Sequence, residues 1–278
     1  MKTWFITGAS RGLGRQWAIA ALDRGDRVAA AVRDPKAIDD LVQVHGAAVL
    51  ALRLDVTDRA ACFAAVKAAH DHFGRLDIVV NNAGYGQYGF VEELSEAEAR
   101  AQMETNFFGA LWVTQAALPY LREQRSGHLI QVSSVGGITA FPYLGIYHAS
   151  KWALEGMSQS LAQEVSGFGI HVTLVEPSGF VTDWIRDAPY SQPLTAYDGE
   201  RAAFESARQE RNSRQGDPRA SRAAILRVVD ADEPPLRVFF GDRGLQWAKE
   251  DYAHRLAVWE KWQPVAREAQ GNSETQSR

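Results

Sequence analysis

The stretch that decides the fold is TGASRGLG, which runs from Thr7 to Gly14 directly after a short apolar segment. It places three glycines, Gly8, Gly12 and Gly14, between a segment typical of a buried strand and a helical pattern. Glycines at a strand–helix turn let the backbone approach a pyrophosphate, and the amides that open the helix then face the phosphates. The spacing G-x-x-x-G-x-G is a moderate signal when it stands alone, so an ordinary glycine turn is the alternative at this point.

Strand and helix patterns alternate along most of the chain. The predicted strands cover residues 3–7, 27–32, 49–55, 76–82, 128–134, 170–176 and 236–240, and the predicted helices cover 14–25, 58–74, 95–123 and 147–166. Because the strands are continuously apolar and helices separate them, we expect a parallel sheet with helices on both faces. The predicted fold class is therefore α/β, a doubly wound parallel sheet of the Rossmann type.

Further segments complete the predicted single domain, which spans residues 1–263. Residues 183–222 are charged, contain three prolines and precede a strand, so we interpret them as a lid insertion rather than a linker. Residues 245–263 carry apolar side chains at helical spacing, which predicts an extra C-terminal amphipathic helix. We expect the tail, residues 264–278, to be disordered.

The composition argues against several classes of protein. The 278 residues carry a formal net charge of −4 with a pI near 6.0, so there is no basic footprint for nucleic acid. No run approaches the roughly 20 apolar residues of a membrane-spanning helix. Cys62 is the single cysteine, and the seven histidines show no metal-ligand spacing. We therefore expect no metal, nucleic acid or membrane partner, and a location in the reducing cytoplasm.

Polar motifs follow two of the predicted strands. LDVTD places Asp55 and Val56 after the third strand, where the carboxylate could meet an adenine amino group. NNAG places Asn82, Ala83 and Gly84 after the fourth strand, at the sheet edge where doubly wound folds bind their ligands. A helix cap for the aspartate and a simple turn for the asparagines are the alternatives.

A second constellation is suited to proton transfer. YHASK supplies Tyr147 and Lys151, which lie one turn apart on one face of a helix. Because a lysine ammonium near a phenol favours the phenolate, we expect Lys151 to lower the pKa of Tyr147 into the range of acid–base catalysis. Ser134, which ends the preceding strand, could hydrogen-bond a substrate oxygen in the same cleft. Asn106 lies in a predicted helix, where asparagine has a poor propensity. The sequence favours neither a structural nor a functional role for its side-chain amide.

Taken together, these motifs resemble those of the classical short-chain dehydrogenases/reductases. The matching segments are TGASRGLG, LDVTD, NNAG, TNFFG, VSS and YHASK, in family order and at family spacing. The resemblance implies a catalytic tetrad of Asn106, Ser134, Tyr147 and Lys151. Tyr147 would exchange a proton with the substrate, Ser134 would hold the substrate oxygen, and Lys151 would bind the nicotinamide ribose. Asn106 would hold a water in the proton relay.

The resemblance also implies a set of cofactor contacts. They are Gly8, Ser10, Arg11, Gly12, Leu13, Gly14, Arg33, Asp55, Val56, Asn82, Ala83, Gly84, Tyr147, Lys151, Pro177, Gly179 and Thr182. The segment after the sixth strand departs from the adjacent proline and glycine common in the family, because Ser178 stands between Pro177 and Gly179. This leaves open which amides meet the nicotinamide carboxamide, although Thr182 suits a cofactor contact.

The predicted cofactor is NADP, with NAD as the less favoured alternative. NAD-specific relatives carry an acidic residue at the end of the second strand, where it binds the ribose 2′-hydroxyl. Here that position holds Val32, and Arg33 follows it. Arg11 and Arg33 could both face a 2′-phosphate, a dianion suited to guanidinium pairing. Two points favour NAD instead. Asp34, one residue further on, is acidic, and Arg33 could simply be solvated.

The predicted function is the NADP-dependent interconversion of a secondary alcohol and a ketone or aldehyde. Candidate residues for an apolar or aromatic substrate are Phe141, Tyr143, Phe180, Trp184 and Tyr190. The alternatives are a nucleotide-sensing binding protein on the same fold, and a lyase or epimerase that uses the cofactor without net turnover. The resemblance, together with a helix over 105–123 that is apolar nearly all round, also implies a homodimer or homotetramer.

Overall fold

The structure is a computed structural model that describes residues 1–182, 187–212 and 215–271. Its centre is a seven-stranded sheet with the strand order β3-β2-β1-β4-β5-β6-β7. The strands are β1 (Thr3–Thr7), β2 (Arg27–Val32), β3 (Val49–Arg53), β4 (Ile78–Asn81), β5 (Gly127–Val132), β6 (Ile170–Pro177) and β7 (Arg237–Phe240). Every neighbouring pair is parallel. The predicted doubly wound sheet is therefore confirmed.

Helices cover both faces of this sheet. They are α1 (Gly12–Asp23), α2 (Asp39–His45), α3 (Arg59–Phe73), α4 (Glu96–Met103), α5 (Gly109–Gln124), α6 (Gly145–Val165), α7 (Asp198–Asn212), α8 (Ser221–Val229) and α9 (Gly244–Gln270). Side chains of β1 alternate between two apolar cores: Trp4 and Ile6 pack with Trp17 of α1, and Phe5 packs with Val113 of α5. This alternation is the period-two geometry of a strand that is buried on both faces.

The order of the strands reverses between β1 and β4. The chain runs from β1 outward through β2 and β3, and then returns to place β4 on the other side of β1. A crevice forms at such a switch point, outside the carboxyl ends of the strands, and ligands of open α/β sheets bind there. The glycine-rich turn after β1 and the NNAG segment after β4 flank this crevice.

The long helix predicted over residues 95–123 is interrupted in its middle. A π-helical turn over Glu104–Phe108 joins α4 to α5, and in it the Gly109 N–H bonds to the Glu104 carbonyl. Such turns insert one residue into the helix and occur frequently at functional sites. Asn106 lies within this turn. Asparagine has a poor helical propensity, which agrees with its place at an interruption of the regular helix.

The lid predicted as irregular over 183–222 contains a regular helix. This helix, α7, spans Asp198–Asn212, and the predicted lid residue Trp184 lies outside the described residues. The helix was not predicted because charged residues dominate its sequence and its apolar positions are few. Phe204 is buried and fixes the helix against the body of the protein. Tertiary packing therefore stabilises a helix that the local sequence pattern does not predict.

The C-terminal helix α9 is longer than the predicted 245–263. It continues through Pro264 to Gln270, into the predicted disordered tail, and residues 272–278 of that tail lie outside the described residues. A proline inside a helix removes one backbone hydrogen bond, and α9 tolerates this loss at Pro264. Every residue from Leu256 to Gln270 is exposed. Although α9 has 27 residues, neither it nor any other helix in the described ranges is long and apolar enough to cross a membrane.

Candidate active site

A cavity of about 1140 Å³ follows the carboxyl ends of the strands. Most of the predicted cofactor contacts line it, namely Gly8, Ser10, Arg11, Gly12, Leu13, Arg33, Asp55, Val56, Asn82, Ala83, Gly84, Tyr147, Lys151, Pro177, Gly179 and Thr182. Pockets for small molecules range from about 300 to 1,000 Å³, so this cavity has room for a dinucleotide and part of a second molecule. One predicted contact, Gly14, is not on the cavity wall but packs beneath it.

The glycine loop needs its glycines for two different reasons. Gly8 and Gly12 have φ angles of +66° and +58°, a region in which residues with a Cβ are strained. A Cβ on Gly14 would lie 2.8 Å from the Gly8 carbonyl oxygen and would clash with the amide of Asn82. The first two glycines therefore shape the loop, and the third lets α1 begin close beneath it.

Asn82 ties the glycine loop to the end of β4. Its Nδ2 donates to the carbonyl oxygens of Thr7 and Gly8, at 3.0 and 3.1 Å. In return, the Thr7 hydroxyl oxygen accepts hydrogen bonds from the backbone N–H groups of Asn82 and Ala83, both at 3.0 Å. The NNAG segment is thus more than a simple turn, because its asparagine amide fixes the loop that shapes the cavity.

Two arginines stand at the rim where the 2′-phosphate contacts were predicted. Arg33 is exposed and makes no hydrogen bond or ion pair with any described residue, while Val32 before it is buried. Arg11 pairs with Asp187, which follows the segment after β6. Asp55 accepts hydrogen bonds from the backbone N–H and the hydroxyl of Thr57, at 3.0 and 2.8 Å. Among the described residues, Arg33 therefore has no ionic partner at this rim, whereas Arg11 shares its charge with Asp187 of the lid segment.

Tyr147, Ser134 and Lys151 converge on the inner part of the cavity. The Ser134 hydroxyl hydrogen-bonds to the Tyr147 phenol and also accepts the Gly136 N–H at 2.9 Å. Lys151 donates from Nζ to the Val132 carbonyl oxygen at 2.8 Å, and the same Nζ lies 5.9 Å from the centre of the Tyr147 ring. Two hydroxyl groups and one buried ammonium group therefore face a common space at the start of α6.

The expected lowering of the Tyr147 pKa by Lys151 is not found. Burial raises the pKa of Tyr147 to about 12, and the hydrogen bond from Ser134 opposes this only in part. The ammonium group of Lys151 bonds to a backbone carbonyl rather than to the phenol, so desolvation prevails. Burial also lowers the pKa of Lys151 to about 8, against the opposite influence of Glu155. The prediction was wrong because it counted the charge and neglected the burial.

Asn106 is buried behind the cavity wall and its side chain is fully engaged. Its Nδ2 donates to the Tyr85 carbonyl at 2.9 Å and to the Ser150 hydroxyl at 3.1 Å, and its Oδ1 accepts the Tyr85 N–H at 3.1 Å. Gly84 packs against this amide, where a Cβ would lie 3.1 Å from Oδ1 and 3.6 Å from the Lys151 ammonium nitrogen. The side chain acts as a structural amide, and its role in holding a water stays a prediction.

The predicted substrate residues are placed differently from one another. Phe141 and Phe180 line the cavity. Tyr143 does not, because it is buried in an aromatic cluster where its hydroxyl hydrogen-bonds to Arg201 at 3.1 Å. Tyr190 also lies off the cavity surface, since it is 47% exposed and stacks on Tyr88 with ring centres 5.0 Å apart.

Other side chains that line the cavity were missed. They include Tyr88, Leu144, His148, Phe204, Arg208 and Trp247. Phe204 and Arg208 are four residues apart on α7, a spacing that would have placed both on one helix face had the helix been predicted. Trp247 lies in the first turns of α9 and meets Phe141 edge-on, with ring centres 5.6 Å apart. Long-range packing brings these residues to the cavity, and the local sequence carries no signal for it.

His148, next to Tyr147, fixes the turn that carries Ser134. Its Nε2 accepts the Phe141 N–H at 3.0 Å, so its Nδ1 carries the proton and donates to the Gly136 carbonyl at 2.8 Å. Burial lowers the pKa of His148, which keeps the ring neutral and this tautomer in place. Both ring nitrogens are thus used to hold the segment between β5 and α6.

Comparison with known proteins agrees with this geometry. The family model described as short chain dehydrogenase matches residues 2–191. The oxidoreductase BOA17 of Botryotinia fuckeliana is 42% identical over 270 residues, which is 95% of this chain and 98% of that protein. A short-chain dehydrogenase from Streptomyces avermitilis superposes with a TM-score of 0.90 at 36% identity, over 97% of this chain and 100% of that one.

A third similarity concerns a ligand-bound structure. An alcohol dehydrogenase from Thermococcus sibiricus, complexed with 5-hydroxy-NADP, superposes with a TM-score of 0.72 at 25% identity, over 87% of this chain and 96% of that one. The chain belongs to the short-chain dehydrogenase family. It is an oxidoreductase built on a single Rossmann-type domain.

Proposed function

We propose that the protein is an NADP-dependent oxidoreductase that interconverts an alcohol and the corresponding ketone or aldehyde of a mainly apolar substrate. The observation that carries this proposal is the convergence of Tyr147, Ser134 and Lys151 in the cavity that the glycine loop borders. A binding module has no use for a buried phenol, hydroxyl and ammonium group directed at one space. A proton-transfer site requires such an arrangement.

The residues of the chain fit a bound NADP. Gly8 and Gly12 have left-handed φ angles, and Gly14 stands where a Cβ would clash. A loop of this kind lets a pyrophosphate approach the backbone closely. The N-terminus of α1 opens at this loop and offers its amides to phosphate. Arg33 and Arg11 supply the positive charge for a 2′-phosphate, and the similar alcohol dehydrogenase carries an NADP derivative.

Each catalytic side chain has a definite task in this proposal. The bound nicotinamide supplies or accepts the hydride. Because burial keeps Tyr147 protonated at neutral pH, its hydroxyl is the donor that protonates a carbonyl oxygen. Ser134 hydrogen-bonds that oxygen and the phenol, which holds the two in line. Lys151 places a positive charge beneath the site, where it stabilises the phenolate that remains after the proton has left.

The lining of the substrate region favours apolar and aromatic substrates. Phe141, Leu144, Phe204 and Trp247 give it aromatic and aliphatic walls next to Tyr147. Such walls exclude water and bind by contact area rather than by directed hydrogen bonds. A ketone or aldehyde with an aromatic or branched aliphatic body suits this space better than a sugar or another polyol.

A carbonyl screen tests the proposal. The purified protein is mixed with NADPH and a panel of aromatic and aliphatic ketones and aldehydes, and the absorbance of the reduced cofactor is followed. We expect oxidation of NADPH with at least one apolar carbonyl, and less with NADH. Tight NADPH binding without turnover of any compound would instead indicate a nucleotide sensor. Conversion of a substrate with no net change in cofactor would indicate a lyase or epimerase.

A further inference from the structure

A buried cluster of charged groups lies behind Lys151 and takes no part in the site described above. Glu155 follows Lys151 by one turn on the same face of α6 and is 5% exposed. Glu176, near the end of β6, is completely buried. Arg237, at the start of β7, lies between them, with its Nε 2.9 Å from Glu155 Oε2 and 3.6 Å from Glu176 Oε1. Three neighbouring elements thus place two carboxyl groups around one guanidinium group.

The cluster extends to the turn that carries the catalytic serine. Ser133, directly before Ser134, donates its backbone N–H to the Val175 carbonyl at 2.8 Å, next to Glu176, and its hydroxyl faces Glu155. A Cβ on Gly137 would lie 2.6 Å from the Ser133 hydroxyl and 3.2 Å from Glu155 Oε1. The cluster is therefore packed directly beneath the segment that positions Ser134.

The environment of the two carboxyl groups opposes their simultaneous ionisation. Neither oxygen of Glu176, nor Oε1 of Glu155, accepts a hydrogen bond from a donor among the described residues, yet the two carboxyl groups are within hydrogen-bonding reach of each other. Burial raises the pKa of both residues, and for Glu176 the neighbouring charge of Glu155 raises it further. Two buried like charges facing one cation are relieved when a single proton is held between them.

We propose that Glu155 and Glu176 share one proton at neutral pH, and that the single negative charge they retain is a positioning element which keeps the buried Lys151 in its ammonium form. The hydrogen bond from Arg237 favours ionised Glu155, so the proton resides on Glu176. The role in the reaction rests on the proposed function, whereas the shared proton is a property of the folded protein alone.

Lys151 needs such support because its own surroundings are neutral. Its ammonium group bonds to a backbone carbonyl, and burial lowers its pKa to about 8, while Glu155 raises it. The titratable groups that face it are Tyr147 and Glu155 on its own helix, with Tyr88 beyond the phenol and with Glu176 and Arg237 behind Glu155. In the neutral-pH state the carboxyl pair supplies the negative charge among them, since both phenols are protonated.

Sharing one proton makes the pair tolerant of single substitutions. In Glu176→Gln, the neutral amide replaces the protonated carboxyl and Glu155 stays ionised. In Glu155→Gln, the remaining Glu176 has lost the neighbour that opposed its ionisation, so it releases its proton and keeps the negative charge. Only Glu155→Gln with Glu176→Gln removes the charge. A packing role without charge predicts instead that the two single effects add.

Infrared spectroscopy of the protein without substrate tests the shared proton. At pH 7 we expect the carbonyl stretch of a protonated carboxylic acid in the wild type and its loss in each single variant. The control is Glu123→Gln with Glu164→Gln, two exposed glutamates of α5 and α6, which removes two carboxyl groups without altering the buried pair. The control should keep the band. Absence of the band from the wild type at pH 7 would overturn the proposal, whether or not any catalytic activity is found.

The pH profile of kcat tests the link to Lys151. Since activity requires the ammonium group, it falls on the alkaline side, and we expect that limb to move to lower pH by at least about one unit in the double variant. Each single variant should shift it by less than half as much. A double-variant profile that superimposes on the wild type after scaling would overturn the positioning role. If the double variant does not fold, loss of the infrared band in the single variants, with their alkaline limbs unmoved, still decides between shared charge and simple packing.

Discussion

At the scale of single residues, Tyr147 holds a proton that its surroundings keep in place throughout the neutral range. Burial sets this state, and Ser134 aligns the hydroxyl by a hydrogen bond. The phenol is therefore prepared to donate rather than to accept, which suits reduction of a carbonyl group.

The first prediction removes this proton. Tyr147→Phe keeps the ring and its packing, so cofactor affinity should stay within a few-fold of wild type. The value of kcat should fall by at least about 100-fold, the lower end for general acid–base catalysis. Tyr252→Phe is the matched control, because Tyr252 is exposed on α9 and is not part of the cavity lining. A folded Tyr147→Phe protein with nearly normal turnover would refute the assignment.

The second prediction concerns the cofactor rim. Arg11→Ala with Arg33→Ala should weaken NADPH binding by about two to four orders of magnitude, because two charge-assisted contacts of about 1.5–3 kcal/mol each are lost. NADH binding should change little. Calorimetric titration with both cofactors measures the difference. Arg53→Ala, an exposed arginine at the end of β3 outside the cavity lining, is the control. Equal losses for NADPH and NADH would exclude recognition of a 2′-phosphate.

At the scale of elements, Glu93 links α7 and the segment before it to the body of the protein, in addition to the packing of Phe204. Glu93 accepts the Leu194 N–H at 2.9 Å and the Arg201 guanidinium at 2.6 Å through Oε1, and the Phe90 N–H at 2.9 Å through Oε2. The Arg201 guanidinium also lies over the ring of Tyr143. Because Phe204 and Arg208 of the same helix face the cavity, this fastening holds one wall of the substrate region.

The third prediction tests this fastening. Glu93→Gln should lower the free energy of unfolding by about 2–5 kcal/mol, since it leaves the partly buried Arg201 without its counter-charge. Urea denaturation measures the change. Glu96→Gln, a nearby exposed glutamate paired with Arg100 on α4, should change the free energy by less than about 0.5 kcal/mol. Similar effects of the two substitutions would mean that the Glu93 contacts do not stabilise the fold.

The same residue gives a pH dependence of defined sign. The hydrogen bond from Arg201 lowers the pKa of Glu93 from 4.5 to about 2, with the two backbone N–H groups acting in the same direction. Ionised Glu93 therefore stabilises the folded protein fully above its pKa in the unfolded chain. This stabilisation is lost as the pH falls from about 4.5 towards 2. The acid loss of stability in this window should be shallower in Glu93→Gln than in the wild type.

Features that depend on neighbouring residues could be predicted from the sequence, whereas features that depend on distant segments could not. Strands, the glycine loop and the Tyr147–Lys151 pair follow from local patterns, and the structure has them at the expected places. The pairing of Arg11 with Asp187, 176 residues away, follows from no local pattern. The same holds for the burial that raises the Tyr147 pKa, for the part of Asn82 in the loop and for Trp247 in the cavity wall. Each of these depends on segments that meet only in the folded chain.

At the scale of the whole molecule, the question of assembly turns on two apolar surfaces. The first is on α5, where Trp112 is half-buried, stacks on Phe108 at 5.7 Å and is covered in part by Arg59 at 5.3 Å. The second is the outer half of α9, where Trp259 and Trp262 are each 58% exposed. Helix α9 packs against β7 and the turn after β5.

The fourth prediction is a homodimer through the helices at about 105–123 and 147–166. Light scattering at micromolar concentration should give about twice the chain mass of 30.7 kDa. Trp112→Glu should shift the mass towards the monomer, because a charge would be buried in the contact. Trp259→Glu is the comparison: if it dissociates the assembly and Trp112→Glu does not, the contact lies on α9 instead. A mass near that of one chain that stays constant on dilution would contradict the dimer.

The reach of α9 has a mechanical consequence. Its second turn places Trp247 against Phe141 in the cavity wall, and at Arg255 the helix is fastened to the Ile138 carbonyl and the Trp152 ring. Beyond that point the helix extends by 15 residues, which at about 1.5 Å per residue is an arm of roughly 22 Å. One continuous helix thus carries both a residue of the cavity wall and a long exposed arm, so a molecule that bound the arm would be joined through α9 to one wall of the substrate region.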